Sequence, residues 1–313
     1  MKVAPIMGFL GLVFGLGLLA LGAYLWTPDK SRTTLEASYL GPEDAFVTLL
    51  GSRIRVRDTG PNTRALTPVI LLHGFGSSLE TWEGWARDLE QDRRVIRLDL
   101  PGSGLSYPDA TNDYRDTRTV ALLVALMDAK GLARADIIGN SIGGRIAWHF
   151  AAAYPSRVRK LVLISPDGFA SPGFDYGKPA QVPAIMAAMR WTLPKAMLKA
   201  NLDPSYGAPS RLSSTTVTRY HDLMLAPGSR AALLERMKQT VLVDPVSVLP
   251  KITAPTLLLW GEKDALIPIS NAQDYLRLLP TATLVKLAGL GHVPFEEMPS
   301  TSLIPLKAFL DAP

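Results

Sequence analysis

The chain of 313 residues contains no cysteine. That absence excludes a disulfide framework, thiolate zinc sites, a cysteine nucleophile and a lipid-modified N-terminal cysteine. Histidine is scarce, so only His73, His149, His221 and His292 are available as a base near neutral pH. No excess of one charge marks the chain either: 33 Lys and Arg stand against 28 Asp and Glu, giving a net charge of +5. The basic residues are scattered, which excludes a nucleic-acid footprint. Neither H-E-x-x-H nor G-x-x-x-x-G-K-[ST] occurs. The two G-x-G patterns, at Gly15 and Gly17 and at Gly102 and Gly104, fall in an apolar run and a turn, so no metal, nucleotide or other cofactor is expected.

One long stretch lacks charge altogether. Ile6 to Trp26 runs for 21 positions without a charged residue, long enough at about 1.5 Å per residue to span a hydrocarbon core of about 30 Å. Signal-peptide cores usually run about 7–15 residues, and this stretch closes on Tyr24 and Trp26, the aromatic pair of a membrane interface. Residues 1–26 are therefore read as a single-pass membrane anchor. The alternative is a signal peptide cut near Leu21-Gly22-Ala23, giving a secreted or periplasmic chain. Lys2 on one side is matched by Lys30 and Arg32 on the other, so orientation is open. Residues 27–44 are polar and aperiodic and predict a linker.

From Ala45 onward the pattern is regular. "AFVTLL" and "RIRVRD" predict a hairpin around Gly51-Ser52, and six short apolar runs follow: Val69–Leu72, Val95–Leu100, Ala135–Ile138, Leu161–Ser165, Thr256–Trp260 and Leu284–Ala288. Helix-sized segments such as Tyr114–Lys130 and Gly143–Tyr154 lie between them. This is the rhythm of an α/β domain, 45–313, with a mostly parallel sheet covered by helices on both faces. Gly168 to Pro250 interrupts it with amphipathic pieces, Ala184–Trp191 and Arg230–Val241, and five of the nine Met. It predicts a helical lid, 168–250, inserted after the sixth strand and over the strand ends where ligands bind. Met186, Met189, Met197, Met224 and Met237 are either an adaptable acyl pocket or the lid's own core.

Ser141 sits in "GNSIGG" between a strand and a helix. G-x-S-x-G at that place forces the serine onto a sharp turn with Oγ outward and sets the Ile142 N–H at a helix start. "VILLHGFG" is a second strand with a Gly-rich turn, which offers the Phe75 N–H as the other oxyanion donor. His73 in that turn, His149 and His221 have structural readings. His292, in the loop after the last strand, is where a base belongs. For the acid, Asp264 lies 123 residues after Ser141 and 28 before His292; Asp167 is the competitor and Glu262 faces solvent. Ser, Asp, His is the chain order of an α/β-hydrolase triad.

Five segments in sequence, "HGFGSSLETW", "DLPGSGLS", "GNSIGG", "GEKDALIP" and "GHVPFEEMP", make the chain resemble the serine α/β-hydrolases of esterase and lipase type. In such proteins Asp99 belongs to a structural turn. "GNSIGG" is similar to the "GNSMGG" of meta-cleavage C–C hydrolases and of membrane-anchored monoacylglycerol-lipase-like enzymes; Val293 departs from the first group and the N-terminal run favours the second. The resemblance implies cleavage of small-molecule carboxylic esters, with apolar medium-chain acyl or acylglycerol substrates, through an acyl-enzyme on Ser141, His292 and Asp264. The alternatives are C–C bond hydrolysis on the same triad and a non-catalytic membrane-bound binding module.

Overall fold

The computed structural model describes residues 15–17, 22–23, 25–62 and 66–313. Most of the expected anchor lies outside the described residues, among which no helix is long and apolar enough to cross a membrane.

The described residues form one eight-stranded sheet, β1 (Asp44–Leu49), β2 (Ser52–Thr59), β3 (Val69–Leu72), β4 (Val95–Leu98), β5 (Ala135–Asn140), β6 (Val158–Ile164), β7 (Thr256–Gly261) and β8 (Ala282–Leu287). Its order is β1-β2-β4-β3-β5-β6-β7-β8. The first two strands run antiparallel, β2 pairs antiparallel with β4, and the other pairs are parallel. The hairpin turns at Leu50 and Gly51, one residue earlier than expected; both have positive φ, 47° and 86°, as a two-residue hairpin turn of the primed type needs.

Among the described residues from 32 onward, ten α-helices accompany the sheet: α1 (Arg32–Tyr39), α2 (Glu83–Leu89), α3 (Asp116–Ala129), α4 (Ile142–Ala153), α5 (Lys195–Leu202), α6 (Ser214–Met224), α7 (Ser229–Gln239), α8 (Asn271–Leu278), α9 (Pro294–Glu297) and α10 (Pro299–Asp311). Every residue of β3, β4, β5 and β7 is buried, because both faces of the sheet are covered. Alternation divides the core. Ile70 and Leu72 pack with Leu126 of α3 and Phe150 of α4, whereas Val69 and Leu71 pack with Trp85 of α2 and Leu306 of α10.

One expectation needs correction. Residues 27–44 are not a free linker: α1 is capped by Ser31, whose Oγ accepts the Thr34 N–H, and it buries Leu35 against Leu105, Leu223 and Ala226. One buried residue in two turns leaves no periodicity to read. The amphipathic piece at Ala184–Arg190 is a 3-10 segment. It begins after Pro183 and has no buried residue to stabilise a longer face.

The excursion between β6 and β7 packs over the carboxyl ends of the strands. Tyr220 Oη lies 3.2 Å from Ser77 Oγ, in the loop after β3, and Ser229 Oγ donates to Gly102 O after β4 at 2.7 Å. Beneath it, Arg55 is fully buried and paired with Asp44 at 2.7 Å, Glu80 at 2.6 Å and Asp99 at 3.3 Å. Asp99 also accepts the Leu79 and Leu105 N–H groups, which is the structural turn the sequence suggested. Removing Arg55 would strand Asp99 and Glu80, whereas Asp44 keeps two 2.7 Å bonds from Arg57. Arg55→Leu is expected to lower stability by about 3–5 kcal/mol in urea denaturation, and a loss under 1 kcal/mol would show the cluster to be energetically idle.

Candidate active site

Ser141 joins β5 to α4 with φ 55° and ψ −123°, a conformation that costs a non-glycine residue on the order of 1–3 kcal/mol. Three backbone bonds hold it there. Its N–H donates to Ile164 O at 3.1 Å, and its carbonyl accepts from Arg145 at 3.0 Å and Asp167 at 3.1 Å. The flanking glycines are required by contact: a Cβ on Gly139 would run into the Gly143 carbonyl, and one on Gly143 into the Leu72 and His73 carbonyls. The start of α4 is therefore pressed onto β3 and β5. Ile142, its first residue, has an N–H with no acceptor within the helix. A Cβ on Gly74 would meet Ser141 Cβ at 3.3 Å, so the turn carrying Phe75 sits beside the serine.

His292 Nδ1 lies 2.8 Å from Asp264 Oδ2. A carboxylate only accepts, so Nδ1 carries the proton and Nε2 is left as the acceptor. Asp264 Oδ1 takes the Leu266 and Ile267 N–H groups, each at 2.9 Å. Burial pushes the Asp264 pKa up, but the bond and charge of His292, the Ile267 N–H and the neighbouring Ser165 outweigh it and hold the carboxyl below its ordinary value. The structure thus brings together the loops after β5, β7 and β8. Asn140, next to Ser141, donates through Nδ2 to His292 O at 3.0 Å and to Ile164 O at 3.1 Å. Among the described residues no hydrogen bond joins the His292 ring to Ser141.

The rival groups are engaged elsewhere. Asp167 pairs with Arg145, which also holds Asp116 at 2.7 Å. His73 accepts the Leu100 N–H at Nε2, 2.9 Å, and bonds Gly74 O through Nδ1, 2.8 Å; burial lowers its pKa to about 4. His221 Nε2 bonds Leu193 O at 2.9 Å. Among the described residues no three His, Asp or Glu side chains gather as metal ligands.

Two contributors escaped the sequence reading. Asn140 was visible only as part of a motif. Glu297 accepts from Gly207 N–H at 3.0 Å, Ala208 N–H at 3.0 Å, Gly291 N–H at 2.8 Å and Arg211 at 2.8 Å, and the His292 N–H donates to Ser205 O at 2.8 Å. The loop of His292 is thus clipped to residues 205–208. "GHVPFEEMP" displays the glutamate, but its four donors come from sequence positions that no local pattern connects.

Phe75 and Ile142 line a cavity of about 200 Å³ together with Phe174, Met237, Thr240, Arg145, Asp167 and Arg236. Of the five methionines of the excursion, Met237 alone lines it. Met224 and Met189 pack with Leu193, Leu198 and Leu233 instead, and Met197 is half exposed.

His149 stacks on Trp148 with ring centroids 3.9 Å apart, and burial lowers its pKa from 6.5 to about 4. Below pH 6.5 the unfolded chain takes up a proton that the folded chain resists until about pH 4, so this residue's contribution to stability falls as pH drops. In His149→Phe that contribution disappears. Wild type is expected to lose up to about 3 kcal/mol relative to the variant between pH 7 and pH 4 in urea titrations; parallel pH profiles would contradict the neutral, buried assignment.

Comparison with known proteins assigns the fold family. A profile of the alpha/beta hydrolase fold matches residues 67–299. Lipase 1 of Psychrobacter immobilis is 28% identical over 250 residues, covering 77% of this chain and 76% of its own. A 2-hydroxy-6-oxononadienedioate/2-hydroxy-6-oxononatrienedioate hydrolase of a Pseudomonas species is 28% identical over 249 residues, 78% of this chain and 86% of its own. The crystal structure of a membrane phospholipase A, described as a bacterial virulence factor, superposes with a TM-score of 0.72 at 27% identity, covering 97% of this chain and 98% of that one. The chain belongs to the alpha/beta hydrolase fold family and is a hydrolase of it, with lipases among its relatives.

Proposed function

We propose that the chain cleaves carboxylic esters through an acyl-enzyme, with Ser141 as nucleophile, His292 as base and acid, and Asp264 as the carboxylate that orients His292. The observation that carries this reading is the 2.8 Å bond between His292 Nδ1 and Asp264, beside a serine held in a strained turn. Nε2 takes the Ser141 proton as Oγ attacks the ester carbonyl, and Asp264 stabilises the imidazolium that forms. The Phe75 and Ile142 N–H groups hold the oxyanion. His292 then protonates the departing alkoxide, and water releases the acid by the same route. The cavity beyond the two donors takes the acyl chain.

The same reading makes 168–250 the lid, 45–313 the catalytic domain, 1–26 a single-pass membrane anchor and 27–44 a docked strap connecting them. The uncharged run from Ile6 to Trp26 supports the anchor, as does the name of the membrane phospholipase A neighbour. A second reading, hydrolysis of a C–C bond by the same three residues, is favoured by Arg145 and Arg236 in the cavity wall and by the C–C hydrolases among the relatives.

The triad acts as a unit. Ser141→Ala should lose several orders of magnitude in kcat while remaining folded, and Asp264→Asn should lose about 10⁴-fold. Asp167→Asn should lose far less. The reverse ranking of the two aspartates in ester turnover, or labelling of Ser141→Ala by an active-serine phosphonate, would sink the assignment.

Chain-length preference separates the two bond types. Each acyl CH₂ buried in the cavity contributes up to about 0.8 kcal/mol, or about fourfold in kcat/KM. The rate on nitrophenyl esters should therefore rise from acetate to hexanoate. A flat series, with faster turnover of a 2-hydroxy-6-oxo-dienoate, would establish the C–C reading instead.

A further inference from the structure

Exposed apolar side chains are ordinary when scattered and informative when gathered. Leu50 and Leu266 are of the first kind. Ile185, 78% exposed, and Trp191, 53% exposed, are of the second, because they belong to one short stretch of the lid, and Trp26, 56% exposed, immediately precedes the residue bonded to it. The Thr27 N–H donates to Trp191 O at 2.9 Å, and Thr27 Oγ1 accepts the Leu193 N–H at 3.1 Å. Next along the chain, the Lys30 N–H donates to Leu225 O at 2.8 Å, while Asp29 pairs with Arg230 at 2.6 Å and Lys30 with Asp222 at 2.7 Å. The residues that follow the uncharged run are thus fastened to the lid over five positions.

We propose that Ile185 and Trp191 of the lid lie in the interfacial layer of the lipid bilayer that residues 6–26 enter, so that the lid is a membrane-contacting surface. The inference rests on the anchor reading and adds to it a second, non-covalent site of membrane contact. Its basis is distance. The interfacial layer is roughly 5–7 Å deep on each side of the hydrocarbon core, and the backbone of Trp191 is hydrogen-bonded to the first residue beyond the apolar run. Trp191 therefore reaches that layer whenever Trp26 does. Tryptophan is the residue enriched there, and an apolar helical face lying on a bilayer sinks about 5–10 Å into the headgroup boundary. Exposed Arg190 and Lys195 flank the patch, Arg190 paired with Glu235 at 3.3 Å and Lys195 Nζ donating to Thr218 Oγ1; long stems of this kind bury while their heads stay wet. No protein partner is required to cover the patch. The 3-10 segment it belongs to packs along α7, whose Met237 lines the substrate cavity, so the membrane and the cavity share one wall.

The absence of cysteine makes the test direct. Ile185→Cys and Trp191→Cys in the full-length chain give a single labelling site each, as does a reference variant, Lys286→Cys, on the exposed edge strand β8. The nitroxide-labelled chains are placed in nanodiscs of phosphatidylcholine and phosphatidylglycerol, and accessibility to oxygen and to a water-soluble nickel chelate is measured by power-saturation EPR. Retained turnover of a water-soluble ester reports the fold of each variant; if Trp191→Cys is inactive, Ile185→Cys carries the test alone. The expected result is an oxygen-to-nickel accessibility ratio several-fold higher at 185 and 191 than at 286. Equal ratios at all three positions in a disc-bound chain would overturn the lid contact and leave the anchor standing. A chain that does not co-elute with the discs would overturn both.

Discussion

The close approach of α4 to the strands beneath it is the constraint on which the site depends. Gly139 and Gly143 are pressed against carbonyl oxygens of neighbouring elements, and no side chain fits between them. That contact fixes the first turn of the helix relative to β3 and β5. It leaves Ser141 in a backbone region that serine avoids, and the three hydrogen bonds to the Ser141 backbone keep it there. The strain is local, and the surrounding sheet over-determines it. Because the same helix start presents the Ile142 N–H, the position of the hydroxyl and the direction of one donor are set by a single packing contact rather than by two independent ones.

The second half of the site is built differently. His292 has no strand to fix it; it stands on a loop, and its place is defined by polar partners that come from four directions. Asp264 holds the ring, Asn140 the carbonyl, Ser205 the N–H, and Glu297 the preceding peptide. Glu297 is fully buried in its side chain, and all four of its partners are donors. An acceptor-only group is the one chemistry that satisfies them together, and the buried charge is compensated by three backbone N–H groups together with the Arg211 guanidinium.

What the sequence displayed follows from this contrast. The strands were legible because burial on both faces produces continuous apolar runs, and the elbow because steric contact demands glycine at fixed offsets from Ser141. The pairing of His292 with Asp264 was legible through chain order. The docked helix at Arg32–Tyr39 was not, since its stability comes from Leu35 and polar bonds to a segment nearly 200 residues away, such as Tyr39 to Asp222, rather than from a periodic face of its own. Glu297 was hidden for the same reason. The methionines misled in part: a flexible side chain fits a pocket and a small core equally well, and only Met237 proved to line the cavity.

The bond from His292 to Ser205, with the Glu297 clip beside it, joins the His292 loop to the segment between β6 and β7. A displacement of residues 205–208 cannot leave the peptide before His292 where it is, because Gly207 and Gly291 are packed backbone against backbone, too close for a methyl group on either. Residues 205–208 and the loop of His292 are therefore packed as one unit. A side chain at position 207 or 291 would part the two segments, so the loop that carries His292 and the excursion above it demand a small residue at the same point of contact.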